Sequence, residues 1–188
     1  MNICTDRIRC FIGCPVSRSD QAALAALLQS RAGAGWRLIP ATNHHLTLCF
    51  LGDQSPVTLS ALAERLRNEV PRRPCRGHAL ALAPFPMPTA PLLALELVPD
   101  KALLALRAGV VRCVAGTGIR CETAEFRPHI SLARGAGEVR AETIELDLSF
   151  NELCLYRSIR TSAGSRYRRL VSIALGTPQD GANGLTAC

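Results

Sequence analysis

The chain has 188 residues, 48% of them hydrophobic, and a formal net charge of +7. That size and apolar content suit one sizeable domain or two small, closely packed lobes, and argue against wholesale disorder. No apolar run approaches the roughly 20 residues that span a bilayer, and the start, Met1-Asn2-Ile3-Cys4-Thr5-Asp6-Arg7, lacks the basic-then-apolar order of a signal peptide.

Residues 7–14 (RIRCFIGC) alternate polar and apolar and predict a strand. Ser19 is the predicted N-cap of a helix over residues 20–32, with Leu24, Leu27 and Leu28 on one face and Gly33 ending it. Residues 36–39 read as short and extended, closed by Pro40, and residues 44–51 as a strong strand stopped by Gly52-Asp53. Ser55-Pro56 is an N-cap followed by proline in the first turn, and Leu59, Leu62, Leu66 and Val70 form a helical stripe as far as Pro71.

Two strands are predicted over residues 77–83 and 91–98, separated by the turn Pro84-Phe85-Pro86-Met87-Pro88. Asp100 then caps a third helix, with Leu103, Leu106, Val110 and Val114 inward and Gly116-Thr117-Gly118 at its end. Residues 127–133 form the next strand, 142–156 two more, and 168–175 a last one. Residues 177–188 (TPQDGANGLTAC) hold turn formers and little hydrophobicity, so a loose tail is expected there after a single domain over 1–176. This order predicts an α+β architecture of two sheet-based lobes with helices on the outer faces.

The nine cysteines are odd in number, contain no CxxC pair and recur inside apolar stretches such as Thr47–Leu51. Buried, reduced thiols in a cytoplasm are expected, with neither a disulfide framework nor a zinc site. The basic balance favours an anionic partner, nucleic acid being the common case, although arginine-rich composition also follows codon bias. With aromatics at 4%, a broad base-stacking platform is not expected.

The chemistry lies in a pattern that occurs twice, His45-Leu46-Thr47-Leu48 and His129-Ile130-Ser131-Leu132. In a strand, residues i and i+2 point to the same face about 7 Å apart. Each copy therefore presents one imidazole and one hydroxyl to the same side. Histidine exchanges protons near neutral pH because its unperturbed pKa is about 6.5. Two of them can act as acid and base on a phosphodiester while Thr47 and Ser131 donate hydrogen bonds to its non-bridging oxygens.

A lone strand histidine is more often structural; two copies with matching hydroxyls and apolar neighbours carry the functional reading. His44 should face the other way, and His78 has no hydroxyl two residues on, so both are read as incidental. The copies lie 84 residues apart, about half the chain, which suggests an internal duplication with a cleft between the halves.

The run Asn43-His44-His45-Leu46-Thr47-Leu48-Cys49-Phe50-Leu51-Gly52 resembles the first HxTx signature of the 2H phosphoesterases, and Phe126-Arg127-Pro128-His129-Ile130-Ser131-Leu132-Ala133-Arg134 the second. Arg9–Gly13, Trp36–Pro40 and Leu153-Cys154-Leu155-Tyr156-Arg157-Ser158 match as well, so the resemblance covers roughly residues 7–176. The branch it is most similar to is the RNA 2′,3′-cyclic phosphodiesterases, once named 2′-5′ RNA ligases.

The resemblance implies a bilobal, pseudo-symmetric fold of two antiparallel-rich sheets facing a central cleft. It also implies metal-independent hydrolysis of an RNA or nucleotide 2′,3′-cyclic phosphate to a 2′-phosphate. No cofactor, metal or obligate protein partner follows from it, and a monomer is expected. By similarity, His45 is the proton donor to the leaving 3′ oxygen and His129 the acceptor that activates water. Sequence alone does not fix that direction. Ser131 stands where the family usually has Thr, which removes a methyl that restricts the rotamer.

Arg134 matches a family arginine at the cleft, where it would hold phosphate or stack on a base; a surface arginine at a strand end is the plainer alternative. Phe11 is a base contact or, more plainly, a core residue of the first strand. Arg157, Arg160, Arg166, Arg168 and Arg169 either reach RNA phosphates or form a solvated loop. Ligation through a 2′-5′ linkage, or cleavage of such a linkage, would use the same residues. A non-catalytic RNA-end binder would not need two proton-transfer groups.

Overall fold

The computed structural model describes residues 7–31, 35–85, 92–121, 126–135, 137, 141–162 and 164–176. The expected helix stop at Gly33, the centre of the Pro84–Pro88 turn and the tail over 177–188 lie outside the described residues. In chain order the elements are β1 (Ile8–Pro15), α1 (Arg18–Arg31), β2 (Trp36–Leu38), β3 (His45–Gln54), α2 (Pro56–Glu69), β4 (Cys75–Pro84) and β5 (Leu92–Pro99). They continue as α3 (Lys101–Ala115), β6 (His129–Gly135), β7 (Glu142–Thr143), β8 (Asp147–Phe150), β9 (Glu152–Thr161) and β10 (Gly164–Ala174).

Ser55 Oγ accepts from the Thr58 N–H at 3.1 Å, and Asp100 Oδ1 accepts from the Leu103 N–H at 2.6 Å, so both of these caps sit where the sequence places them. The first helix differs. Ser17, not Ser19, accepts from the Asp20 N–H at 3.1 Å, because the chain turns helical directly after Pro15-Val16. The larger difference is at the end of the chain. Residues 142–161 form three strands instead of two over 142–156, and β9 and β10 pair from Gly164↔Thr161 to Ala174↔Glu152. The arginine-rich stretch is a β-hairpin and not a loop.

All strand pairings are antiparallel, in the order β10-β9-β1-β3-β6-β5-β4-β7, with β2 also on β6 and β8 on β4. One lobe is β10-β9-β1-β3 and the other is built on β6, β5 and β4. Neither lobe is a half of the sequence. The final hairpin returns to β1, and β4–β5 pair with the later motif strand, so each lobe draws on both halves of the chain. The ladders of the two lobes join at a single residue pair, Leu46↔Ile130, and both of these residues are fully buried.

Helix α3 packs on α2 and against β3, β4 and β5. Its stripe of Leu103, Leu106, Val110 and Val114 is wholly out of solvent, as is Leu24 of α1. Helix α1 follows a strand of the first lobe but docks on the second. The Ser149 N–H donates to Asp20 Oδ2 at 3.1 Å, and Arg31 pairs with Glu142 at 2.7 Å. Seven cysteines among the described residues stand outside any disulfide. Burial pushes the Cys10 thiol to about 11 and the Cys75 thiol to about 12, which makes them inert.

Gly13 stands opposite Thr47 where the β1–β3 ladder is irregular. A Cβ on Gly13 would lie 2.5 Å from the Leu46 carbonyl oxygen, a backbone atom with no room to retreat. Gly13→Ala is therefore expected to cost about 1–3 kcal/mol, as overpacking does. It should lower the denaturant midpoint and the activity together, since the strand it pushes on carries the first motif. An unchanged midpoint would show that the strands separate freely there.

Candidate active site

The alternation of β3 and β6 builds the site. Leu46, Leu48, Ile130 and Leu132 are buried, while His45, Thr47, His129 and Ser131 are half-buried on the opposite face. The Leu46↔Ile130 bridge then decides how the motifs meet. Continued by one residue each way, the antiparallel register sets His45 across from Ser131 and Thr47 across from His129. Residues directly opposite have Cβ atoms about 5 Å apart, and diagonal neighbours lie about 7–8 Å apart. The two imidazoles thus occupy one diagonal of a four-residue square and the two hydroxyls the other, with a span suited to one phosphate group.

Each imidazole is held in the same way. His45 Nδ1 lies 2.7 Å from the Asn43 carbonyl, and His129 Nδ1 lies 2.9 Å from the Arg127 carbonyl. A carbonyl only accepts, so both Nδ1 atoms carry the proton and both Nε2 atoms remain for chemistry. Each ring also has a phenylalanine against it, Phe11 at 4.7 Å from His45 and Phe85 stacked at 4.0 Å on His129. The Arg127 guanidinium lies over Phe85 and pairs with Glu96 at 3.0 Å; Glu96 is in turn the cross-strand partner of His129.

Burial lowers the His45 pKa to about 4, against the bond to the Asn43 carbonyl, and the nearby charge of His129 adds to the depression. His129 is lowered by burial too, opposed by the Arg127 carbonyl and the Glu96 carboxylate. Burial thus biases both imidazoles of the free protein toward the neutral form.

His45, Thr47, His129, Ser131, Arg134 and Phe11 all line one cleft of about 1460 Å3. Phe11 is only 4% exposed, its ring packed between His45 and Tyr156, so it braces His45 and offers little surface to a base. Arg134 is exposed and stands directly across from Arg37 on β2. Like charges facing each other across a ladder are unfavourable until an anion lies between them. Of the five clustered late arginines, Arg160 and Arg166 reach the cleft. His44 is 3% exposed and donates Nε2–H to the Ile39 carbonyl at 3.0 Å, while His78 pairs with Asp147 on the surface.

Several of these residues carry no local sequence signal. Arg37 enters through the non-local β2–β6 pairing. Phe85 follows from β4 ending beside His129. Tyr167, edge-on to His45 at 5.0 Å, comes from the hairpin. The repeated i−2 carbonyl bond is a property of backbone shape, and no residue type announces it. Among the described residues, no group of three or more His, Cys, Asp or Glu is placed to hold a metal ion. None of the described helices is long and apolar enough to cross a membrane.

Two joined antiparallel lobes thus carry a His/hydroxyl pair on each of the two strands that meet at their junction. Residues 13–78 match the model of the LigT-like phosphoesterases. An RNA 2′,3′-cyclic phosphodiesterase from Aeropyrum pernix is 31% identical over 172 residues, which is 80% of this chain and 93% of that one. A crystal structure of a Thermus thermophilus protein superposes with a TM-score of 0.75 at 26% identity, covering 89% of this chain and 98% of the other. Escherichia coli LigT complexed with 3′-AMP superposes at 0.73 and 23% identity, covering 92% and 99%. The chain belongs to the LigT-like phosphoesterase family, within the 2H superfamily.

Proposed function

We propose that this protein hydrolyses the 2′,3′-cyclic phosphate at the end of an RNA strand, or of a nucleotide, to a 2′-phosphate without a metal ion. In this reading it is a cytoplasmic monomer with no obligate protein partner. The observation that carries the proposal is the Leu46↔Ile130 bridge, which brings the two His/hydroxyl strands together, with neither Nε2 hydrogen-bonded among the described residues. The name of the Aeropyrum relative supports the substrate.

In the reaction, Nε2 of His129 takes a proton from water as its oxygen bonds to phosphorus. The bond from phosphorus to the 3′ oxygen breaks, and His45 delivers a proton to that oxygen. The 2′ ester survives. Thr47 and Ser131 donate to the non-bridging oxygens, and the Arg37–Arg134 pair adds positive charge at the rim. The test is incubation of RNA ending in a 2′,3′-cyclic phosphate with EDTA present. A 2′-phosphate product supports the reading; a 3′-phosphate, a ligated product or a chelator-sensitive rate contradicts it.

The pKa directions give a pH prediction. His45 must be charged to act as acid, yet burial in the free protein holds it near 4, and His129 is also below its usual value. Both limbs of the bell in kcat/KM, which reports the free protein, are therefore expected below pH 6.5. A bound phosphate anion favours the His45 imidazolium, so the descending limb of kcat should lie at higher pH than that of kcat/KM. Coincident limbs would show that substrate does not supply the missing charge.

A further inference from the structure

The cleft is larger than one nucleotide needs. Its volume of about 1460 Å3 exceeds the roughly 300–1,000 Å3 of ordinary small-molecule sites. Six arginines line it (Arg9, Arg37, Arg120, Arg134, Arg160 and Arg166), and no aspartate or glutamate among the described residues does. None of the six has an ion-pair partner among the described residues. Arg37 and Arg134 belong to the β2–β6 rim. Arg9, Arg160 and Arg166 lie on the other wall, on β1 and the β9–β10 hairpin.

That second wall also carries an exposed aromatic ring. Phe50 is five residues beyond His45, and simple alternation would turn it to the opposite face. The ladder prevents this. Gly13 pairs with Thr47 but Ile12 pairs with Cys49, so β3 carries an extra residue, and Leu48 and Cys49 are buried in succession. The bulge moves Phe50 to the face of His45 and Thr47. There it is 57% exposed, lines the cleft and lies 6.3 Å from Phe11, two ring contacts away from His45.

We propose that this wall binds the penultimate nucleotide of an RNA strand, with Phe50 stacking its base and Arg9, Arg160 and Arg166 holding the flanking phosphates. The inference rests on the proposed cyclic-phosphate reading of the same cleft. A cyclic phosphate closes the 3′ end, so the strand continues only on the 5′ side, and room beyond the terminal nucleotide belongs to its upstream neighbours. A protruding ring between unpaired cations suits a single strand, since stacking accepts any base and arginine follows the backbone.

The test compares kcat/KM for a 2′,3′-cyclic mononucleotide with that for a dinucleotide ending in the same residue. The wild-type protein should prefer the dinucleotide by roughly 5- to 150-fold, the range of one base stack. Phe50→Ala should collapse that ratio, and Phe50→Trp should retain it. On a longer single strand, Arg160→Gln and Arg166→Gln should each lower the salt slope of binding by about 0.7. Equal wild-type rates on the two substrates, or a Phe50→Ala loss shared equally by both, would overturn the site and leave the hydrolase reading intact. If neither substrate is hydrolysed, the hydrolase reading falls, and the same length comparison made on affinity for the 2′-phosphate products decides the site.

Discussion

Replacing either His45 or His129 by alanine is expected to lower kcat by about 10²- to 10⁴-fold, the usual contribution of a positioned acid or base. The double variant should be little worse than the poorer single one, because the two groups act on one transition state. A substrate with sulfur in place of the bridging 3′ oxygen separates their roles. A thiolate, with a pKa of about 8.5, leaves without a proton far more readily than an alkoxide. The His45→Ala defect should shrink on that substrate, and the His129→Ala defect should persist. Rescue of His129→Ala instead would reverse the assignment of acid and base. The Leu46↔Ile130 junction contains neither side chain, so both variants should keep the wild-type far-ultraviolet circular dichroism.

The second large effect belongs to the hydroxyls. Thr47→Val and Ser131→Ala are each expected to reduce kcat by about 10²- to 10³-fold, as loss of one preorganised donor to a developing oxyanion does. KM should move little, because these bonds strengthen as charge gathers on phosphorus. A change confined to KM would make them binding groups only. Ser131→Thr should stay within a few-fold of wild type, since it keeps the oxygen and restores the methyl that restricts χ1. The crossed arrangement, with Ser131 opposite His45 and Thr47 opposite His129, means that neither hydroxyl serves only the histidine of its own strand.

The His-x-Thr and His-x-Ser spacings were sufficient to place each imidazole and hydroxyl on one face, because side-chain alternation is local and the intervening Leu46 and Ile130 had to be buried. The caps at Ser55 and Asp100 were readable for the same reason, since a cap is settled within four residues. The first helix shows the limit, with Ser17 and Ser19 near enough that the turn after Pro15 chose between them.

The fold class, the two motif strands and the apolar stripes of α2 and α3 were therefore determined by sequence alone, through periodicities of two and 3.6 residues. Three things were decided only by tertiary structure. Long-range pairing assigned β9–β10 to the lobe of β1, which brought Arg160, Arg166 and Tyr167 to the cleft. The β2–β6 ladder set Arg37 against Arg134. The bulge in β3 turned Phe50 toward the face of His45. Each depends on which strand lies beside which and in what register. Those choices follow from the burial of whole faces at once, and no local pattern of residues encodes them.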